Sequence, residues 1–164
     1  MTIALDLGCG SIPKNPFNAD EVVGIDLVPN DNVLMVDLAI EPIPFPDNHF
    51  DFITAYDVLQ TIPRLIYNPN RRLSFVELMN EIYRVLKPEG TFLSYTPAYP
   101  KEAVFRDPTH VNYIAPETFS LYFDYANHWA AMYGFKGGFI IESQEWSGPH
   151  HLVTSMKKPT SDPV

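Results

Sequence analysis

Apolar residues in this chain come in short runs that close on an acid or a glycine. Ile3-Ala4-Leu5-Asp6-Leu7 runs into Gly8-Cys9-Gly10-Ser11, and Val22-Val23-Gly24-Ile25-Asp26 and Val33-Leu34-Met35-Val36-Asp37 each end in aspartate. Runs this short and this rich in β-branched residues predict buried strands, the first turning sharply on its glycines. Phe50-Asp51-Phe52-Ile53-Thr54-Ala55-Tyr56 is a fourth, introduced by the turn formers Pro46-Asp47-Asn48. Residues 57–62 leave room for a helical turn or two before Pro63 stops them.

The period then changes. Ser74-Phe75-Val76-Glu77 has capping-box spacing, and Phe75, Val76, Met79, Ile82, Tyr83 and Leu86 recur as one face of a helix. Lys87-Pro88-Glu89-Gly90 ends it and leads into a fifth strand, Thr91 to Thr96. Residues 97–115 are irregular. Pro116 suits a first helical position, and Phe119, Tyr122, Phe123, Ala126, Trp129, Ala130 and Tyr133 predict a helix to about Gly134. Phe139 to Ser143 and His151 to Met156 read as strands closed by a hairpin at Trp146-Ser147-Gly148-Pro149. Strands separated by helical or looped crossovers predict an α/β fold with a mostly parallel sheet and an antiparallel edge.

Composition narrows this to one domain. The chain has 164 residues, and the folded unit is expected over 1–158. From Lys157 the sequence turns polar and Pro-rich and reads as a frayed end, with 159–164 a disordered tail. Sixteen prolines, roughly twice the usual share, exclude a bundle of long helices. A net charge of −9 argues against a nucleic-acid surface. The single cysteine excludes an internal disulfide, and no segment has the length to span a bilayer. The expected setting is cytoplasmic. His150 and His151, adjacent on a strand, are expected to point to opposite sides, so no metal site is predicted.

In an open parallel sheet, ligands bind outside the carboxyl ends of the strands at the switch in strand order, which is where the acids and glycines fall. Gly8 and Gly10 allow close backbone approach. Asp26 can accept from two ribose hydroxyls, and Asp37 can accept from a purine amine, with Leu27 and Leu38 on either side of the ring. These residues make a nucleoside site by chemistry alone.

Asp6-Leu7-Gly8-Cys9-Gly10, Gly24-Ile25-Asp26, Val36-Asp37-Leu38, Phe50-Asp51-Phe52-Ile53 and Arg84-Val85-Leu86-Lys87-Pro88-Glu89-Gly90-Thr91 follow in an order that resembles the core of the class I S-adenosylmethionine-dependent methyltransferases. The resemblance implies a three-layer Rossmann-like sandwich around a seven-stranded sheet with a C-terminal antiparallel hairpin. It implies S-adenosylmethionine as cofactor, with Asp6, Gly8, Cys9 and Gly10 along its methionine part. Asp26 would hold the ribose hydroxyls, Asp37 with Leu38 the adenine, and Tyr56 would lie beside the methionine amine and the sulfonium. Bland readings stand beside these: Cys9 as a small filler of the turn, Asp51 and Asp57 as surface or capping residues, and Asp26 as a strand-end turn residue.

The chain also departs from that family. No helix precedes the first strand, Pro13 and Pro16 interrupt the first crossover, and Val28 to Asn32 are too few for a second. The helix set is reduced, and a homo-oligomer or partner chain is expected over the open cofactor cleft. For the acceptor side, Phe105-Arg106-Asp107-Pro108-Thr109-His110 is the reactive-looking segment, with His110 as a general base oriented by Asp107, or else a pair that ties down a loop. The reading is transfer of a methyl group to a small-molecule O or N acceptor. Its rival is a non-catalytic S-adenosylmethionine-binding or partner subunit of the same fold.

Overall fold

Hydrogen bonding in the computed structural model, which describes residues 1–161, joins seven strands in one sheet. These are β1 (Ile3–Leu7), β2 (Glu21–Asp26), β3 (Val33–Met35), β4 (Phe50–Tyr56), β7 (Leu86–Pro97), β8 (Ile140–Ser147) and β9 (His151–Lys157), in the order β3-β2-β1-β4-β7-β9-β8. The strands from β3 to β7 are mutually parallel, and β9 runs antiparallel between β7 and β8. A separate two-stranded ribbon pairs β5 (Ile66–Tyr67) with β6 (Arg71–Arg72). The strand order reverses at β1, which lies between β2 and β4, so a crevice opens outside the carboxyl ends of β1 and β4.

The helical layers are thin. Helix α1 (Ser74–Val85) buries Phe75, Leu78, Met79 and Ile82 in the same core as Leu5, Ile53 and Phe92 of the sheet. Its predicted capping box does not form. The N-cap is Leu73, Ser74 Oγ donates instead to the Ala39 carbonyl at 2.5 Å, and Glu77 pairs with Arg72. Tertiary partners within reach outbid the local cap. Between β1 and β2 the chain makes turns only, as Pro13 and Pro16 require, and Phe17 stacks on Phe52 at 4.5 Å to cover that part of the sheet. Helix α2 (Ala103–Arg106) is a single turn within the irregular stretch.

The predicted helix from Pro116 to Gly134 is broken in two. Thr118–Phe123 forms a π-helical turn and Trp129–Tyr133 a 3-10 turn, with His128 left-handed (φ 54°) between them. Asp124 is the cause. Its Oδ1 accepts from Ala126 N at 2.8 Å, while Tyr125 N donates to the Phe139 carbonyl and Phe139 N to that of Phe123, so these backbone groups serve the approach to β8 rather than a helix. Phe119, Phe123 and Ala130 are still buried, but Trp129 and Tyr133 stand about half exposed.

The polar end is anchored as well. Lys157 belongs to β9, and Lys158 is 7% exposed, its ammonium donating to Asn48 Oδ1 and to the Tyr83 and Leu86 carbonyls. The frayed end expected from Lys157 is therefore corrected at these two positions, and residues 162–164 of the expected tail lie outside the described residues. Among the described residues, no helix is long and apolar enough to cross a membrane.

Candidate functional site

Five of the residues singled out in the sequence line one cleft of about 350 Å³ at the switch point: Gly8, Asp26, Leu27, Asp37 and Leu38. Gly8 and Gly10 both have positive φ (61° and 67°), and a Cβ on Gly8 would meet Val58 at 2.8 Å, so glycine is required there for conformation and for space. Asp26, the last residue of β2, shapes the turn. Its Oδ2 accepts from Gly10 N at 2.8 Å and its Oδ1 from Leu27 N at 2.7 Å. Oδ1 also accepts from Val28 N at 3.4 Å, whereas Oδ2 keeps a second lone pair that can accept from a ligand. Asp37 lies two residues beyond β3, half-buried, with Oδ1 accepting from Ala39 N at 3.0 Å. Leu27 is 63% exposed, whereas Leu38 reaches the cleft from the core.

The other four lie around the cleft rather than in it. Asp6 is fully buried beneath the glycine turn, accepting from Lys14 N at 2.7 Å and from Thr54 Oγ1 at 2.7 Å, and so ties the first loop to β4. Gly10 is exposed and contributes the N–H held by Asp26. Cys9 is buried, its thiol pushed up by burial, which makes it no nucleophile. Tyr56 packs on Tyr95 with centroids 5.2 Å apart beneath the Lys14 ammonium, and burial raises its phenol.

Asp6 carries a pH signature. Burial pushes its carboxyl above the ordinary 3.8, against the opposing pull of Lys14 N and Thr54 Oγ1. The folded chain therefore holds this proton more tightly than the unfolded chain, so the Asp6 contribution to stability falls as pH rises from 3.8 through the raised folded value. Asp6→Asn can keep both contacts, with its oxygen toward Lys14 N and its amide toward Thr54 Oγ1, because the Thr54 hydroxyl has the Leu5 carbonyl at 3.5 Å as an alternative acceptor. The expected result is a folded variant whose denaturant midpoint loses that decline across mildly acid pH. An unchanged slope would place the titration elsewhere.

A second cleft of about 310 Å³ adjoins the first and contains Asp107 and His110, together with Gln60, Arg106, His150 and His151. Asp57, Thr61 and Thr109 line both clefts and form the wall between them. His110 is not held as expected. Its Nδ1 lies 3.0 Å from the Val104 carbonyl, which fixes the ring, while Asp107 Oδ2 lies 3.6 Å from Nε2, beyond hydrogen-bond length. The other Asp107 oxygen accepts from Thr109 N and Oγ1, and these bonds hold its carboxyl below the usual carboxylate range. His150 and His151 do not point to opposite sides of a strand, since His150 precedes β9 and both face this cleft. No group of three or more His, Cys, Asp or Glu among the described residues could hold a metal ion.

The sequence profile of the methyltransferase domain family matches residues 5–94, which carry β1 to β4, α1 and most of β7. The chain belongs to the class I S-adenosylmethionine-dependent methyltransferases. It is 27% identical over 121 residues to a demethylmenaquinone methyltransferase of Staphylococcus saprophyticus, an alignment covering 63% of this chain and 48% of that protein. It is 34% identical over 83 residues to the ubiquinone/menaquinone biosynthesis C-methyltransferase UbiE of Rickettsia akari, covering 51% and 29%. The chain thus spans less than half the length of these curated relatives. The solved YcgJ protein of Bacillus subtilis shares the fold with a TM-score of 0.63 at 16% identity, covering 98% of this chain and 93% of that one.

S-adenosylmethionine is the cofactor of this methyltransferase family, and the first cleft fits it. Asp26, Asp37 and Asp57 place negative charge around a space walled by Leu27, Val36, Leu38, Val58 and Ile62, which matches a cationic sulfonium carried on a nucleoside.

Proposed function

We propose that this methyltransferase domain transfers a methyl group to a small-molecule acceptor seated in the second cleft. The observation that carries the reading is the shared wall. Asp57, Thr61 and Thr109 face both clefts, so a compound beside His110, His150 and His151 lies next to the nucleoside site. Gly8, Asp26, Leu27, Asp37 and Leu38 would hold the cofactor, with Asp6 and Gly10 setting the loop that shapes the cleft. When bound, S-adenosylmethionine supplies an electrophilic methyl group on a sulfur that departs as a neutral thioether. The chain's own tasks are to align the acceptor atom and, for O or N acceptors, to take up its proton. The imidazoles and carboxylates of the second cleft suit polar acceptors with a titratable proton. Leu27 and Val28, 63% and 71% exposed at the rim, support cover by a second copy or a partner chain.

The test is incubation of the full chain with methyl-labelled S-adenosylmethionine and separate pools of phenols, hydroquinones and amines. Label is expected in at least one pool. Binding of S-adenosylhomocysteine without transfer to any pool would favour a non-catalytic binding subunit, and no binding would remove the cofactor reading.

A further inference from the structure

Two side chains 94 positions apart meet in the wall between the clefts. His151 Nε2 lies 2.7 Å from Asp57 Oδ1. Asp57 is the first residue after β4 and takes a left-handed backbone conformation, φ 56°, which is uncommon outside glycine and is held here by its own N–H donating to the Tyr95 carbonyl. At that turn Asp57 lines both clefts. His151 opens β9, where its ring stacks on Tyr95 with centroids 4.3 Å apart and planes 17° apart, and Tyr95 rests in turn on Tyr56. One nitrogen and the plane of the imidazole are therefore both fixed.

The two histidines differ in what they leave open. His110 is 10% exposed, its Nδ1 lies on the Val104 carbonyl, and no carboxylate among the described residues comes within hydrogen-bond distance of its Nε2, so no acid orients it. His151 is 23% exposed. A carboxylate acceptor at Nε2 assigns the neutral ring's proton to that atom, which leaves the lone pair on Nδ1, an atom that makes no hydrogen bond among the described residues.

We propose that His151, oriented by Asp57, is the general base of this site, and that its substrate is a protic acceptor, a hydroxyl or amine compound. This rests on the methyl-transfer reading above and moves the base from His110 to His151. In the step, the acceptor's O–H or N–H bond breaks, the proton passes to Nδ1, and the electron pair stays on the oxygen or nitrogen that takes the methyl group. The imidazolium so formed is stabilised by the Asp57 carboxylate. His110 then acts as a wall of the acceptor cleft.

Two measurements on the full chain test this. The first needs no cofactor: nitrogen-15 NMR of histidine-labelled protein is expected to show His151 protonated on Nε2, a signature lost in Asp57→Ala. A ring protonated on Nδ1 would overturn the assignment. The second uses methyl-labelled cofactor with catechol, 1,4-naphthohydroquinone and tryptamine as probes. His151→Gln is expected to lower kcat by ~100-fold or more and to abolish the acid limb of the pH profile, with S-adenosylhomocysteine binding unchanged. His110→Ala is expected to act mainly on KM. The titratable groups facing His151 are Asp57 and Tyr95 in contact, with Arg106, Asp107, His110 and His150 lining the same cleft. Wild-type kcat in His151→Gln would sink the base assignment alone. A wild-type chain inactive on all three probes would sink the methyl-transfer reading, and the assignment with it.

Discussion

Asp26→Ala is expected to weaken S-adenosylhomocysteine binding by ~100-fold, the largest effect of any single substitution in the cleft. The carboxylate has two tasks. It accepts from Gly10 N, Leu27 N and Val28 N, which fixes the approach of the glycine turn to the end of β2, and it lines the cleft, where Oδ2 keeps a lone pair for a ligand. Hydrogen bonds to a charged group contribute about 1.5–3 kcal/mol, and about 1.4 kcal/mol is a factor of ten in affinity. Loss of the ribose contacts together with some loosening of the turn brings the total near ~3 kcal/mol. The same residue read only as a strand-end turn former predicts a different outcome, namely lower stability with little change in affinity once the protein is folded. Calorimetry and thermal unfolding on the same sample separate the two. A Kd within threefold of wild type in a destabilised Asp26→Ala would return Asp26 to the turn.

The strands and the switch point were legible because their causes are local. Ile3 to Leu7 and Phe50 to Tyr56 are apolar runs bounded by turn formers, and both strands occupy those residues. The candidate cleft at the switch point is legible for the same reason, since Gly8, Asp26 and Asp37 sit at or just beyond the ends of such runs. Asp6 shows the limit of that reading. The motif marks it as special, but its place inside β1, one residue before the strand ends, puts the carboxylate under the loop, bonded to Lys14 N and Thr54 Oγ1.

What the sequence hid is non-local. Nothing near Asp57 announces His151, because their contact depends on β9 being laid beside β7 by a crossover that includes the whole 97–139 region. The predicted capping box at Ser74 and the predicted helix over the aromatic stripe failed for one reason. In each case a polar side chain with good local options, Ser74 or Asp124, served a distant backbone group or rerouted the chain toward one. Periodicity identifies the buried face, as Phe119, Phe123 and Ala130 show, without fixing whether the backbone beneath it is one helix or two turns.

Lys158→Ala is expected to cost about 3 kcal/mol of folding stability, a large effect for a lysine in a polar C-terminal sequence. The ammonium donates to Asn48 Oδ1 at 2.9 Å, to the Tyr83 carbonyl at 2.8 Å and to the Leu86 carbonyl at 2.9 Å, and lies over the Tyr83 ring at 4.6 Å. The two carbonyls belong to the end of α1 and the start of β7, where the last helical acceptors need donors and where the helix dipole favours a cation. The main chain reinforces the anchor, since Lys158 N donates to Gly90 O and Glu89 N donates to Lys158 O. Removing the ammonium takes a donor from buried acceptors, at about 1–3 kcal/mol for each left unsatisfied. For a chain of this length each kcal/mol lowers Tm by about 2–4 °C, so a fall of roughly 6–12 °C is expected. Lys158→Met keeps the aliphatic stem packed and isolates the head group. If Lys158→Met unfolds within about 2 °C of wild type, the three bonds contribute nothing net and the anchor is packing alone. If it falls with Lys158→Ala, the ammonium adds to the main-chain bonds in holding the junction that carries β7 into register beside β4, and Tyr95 to its bond with Asp57.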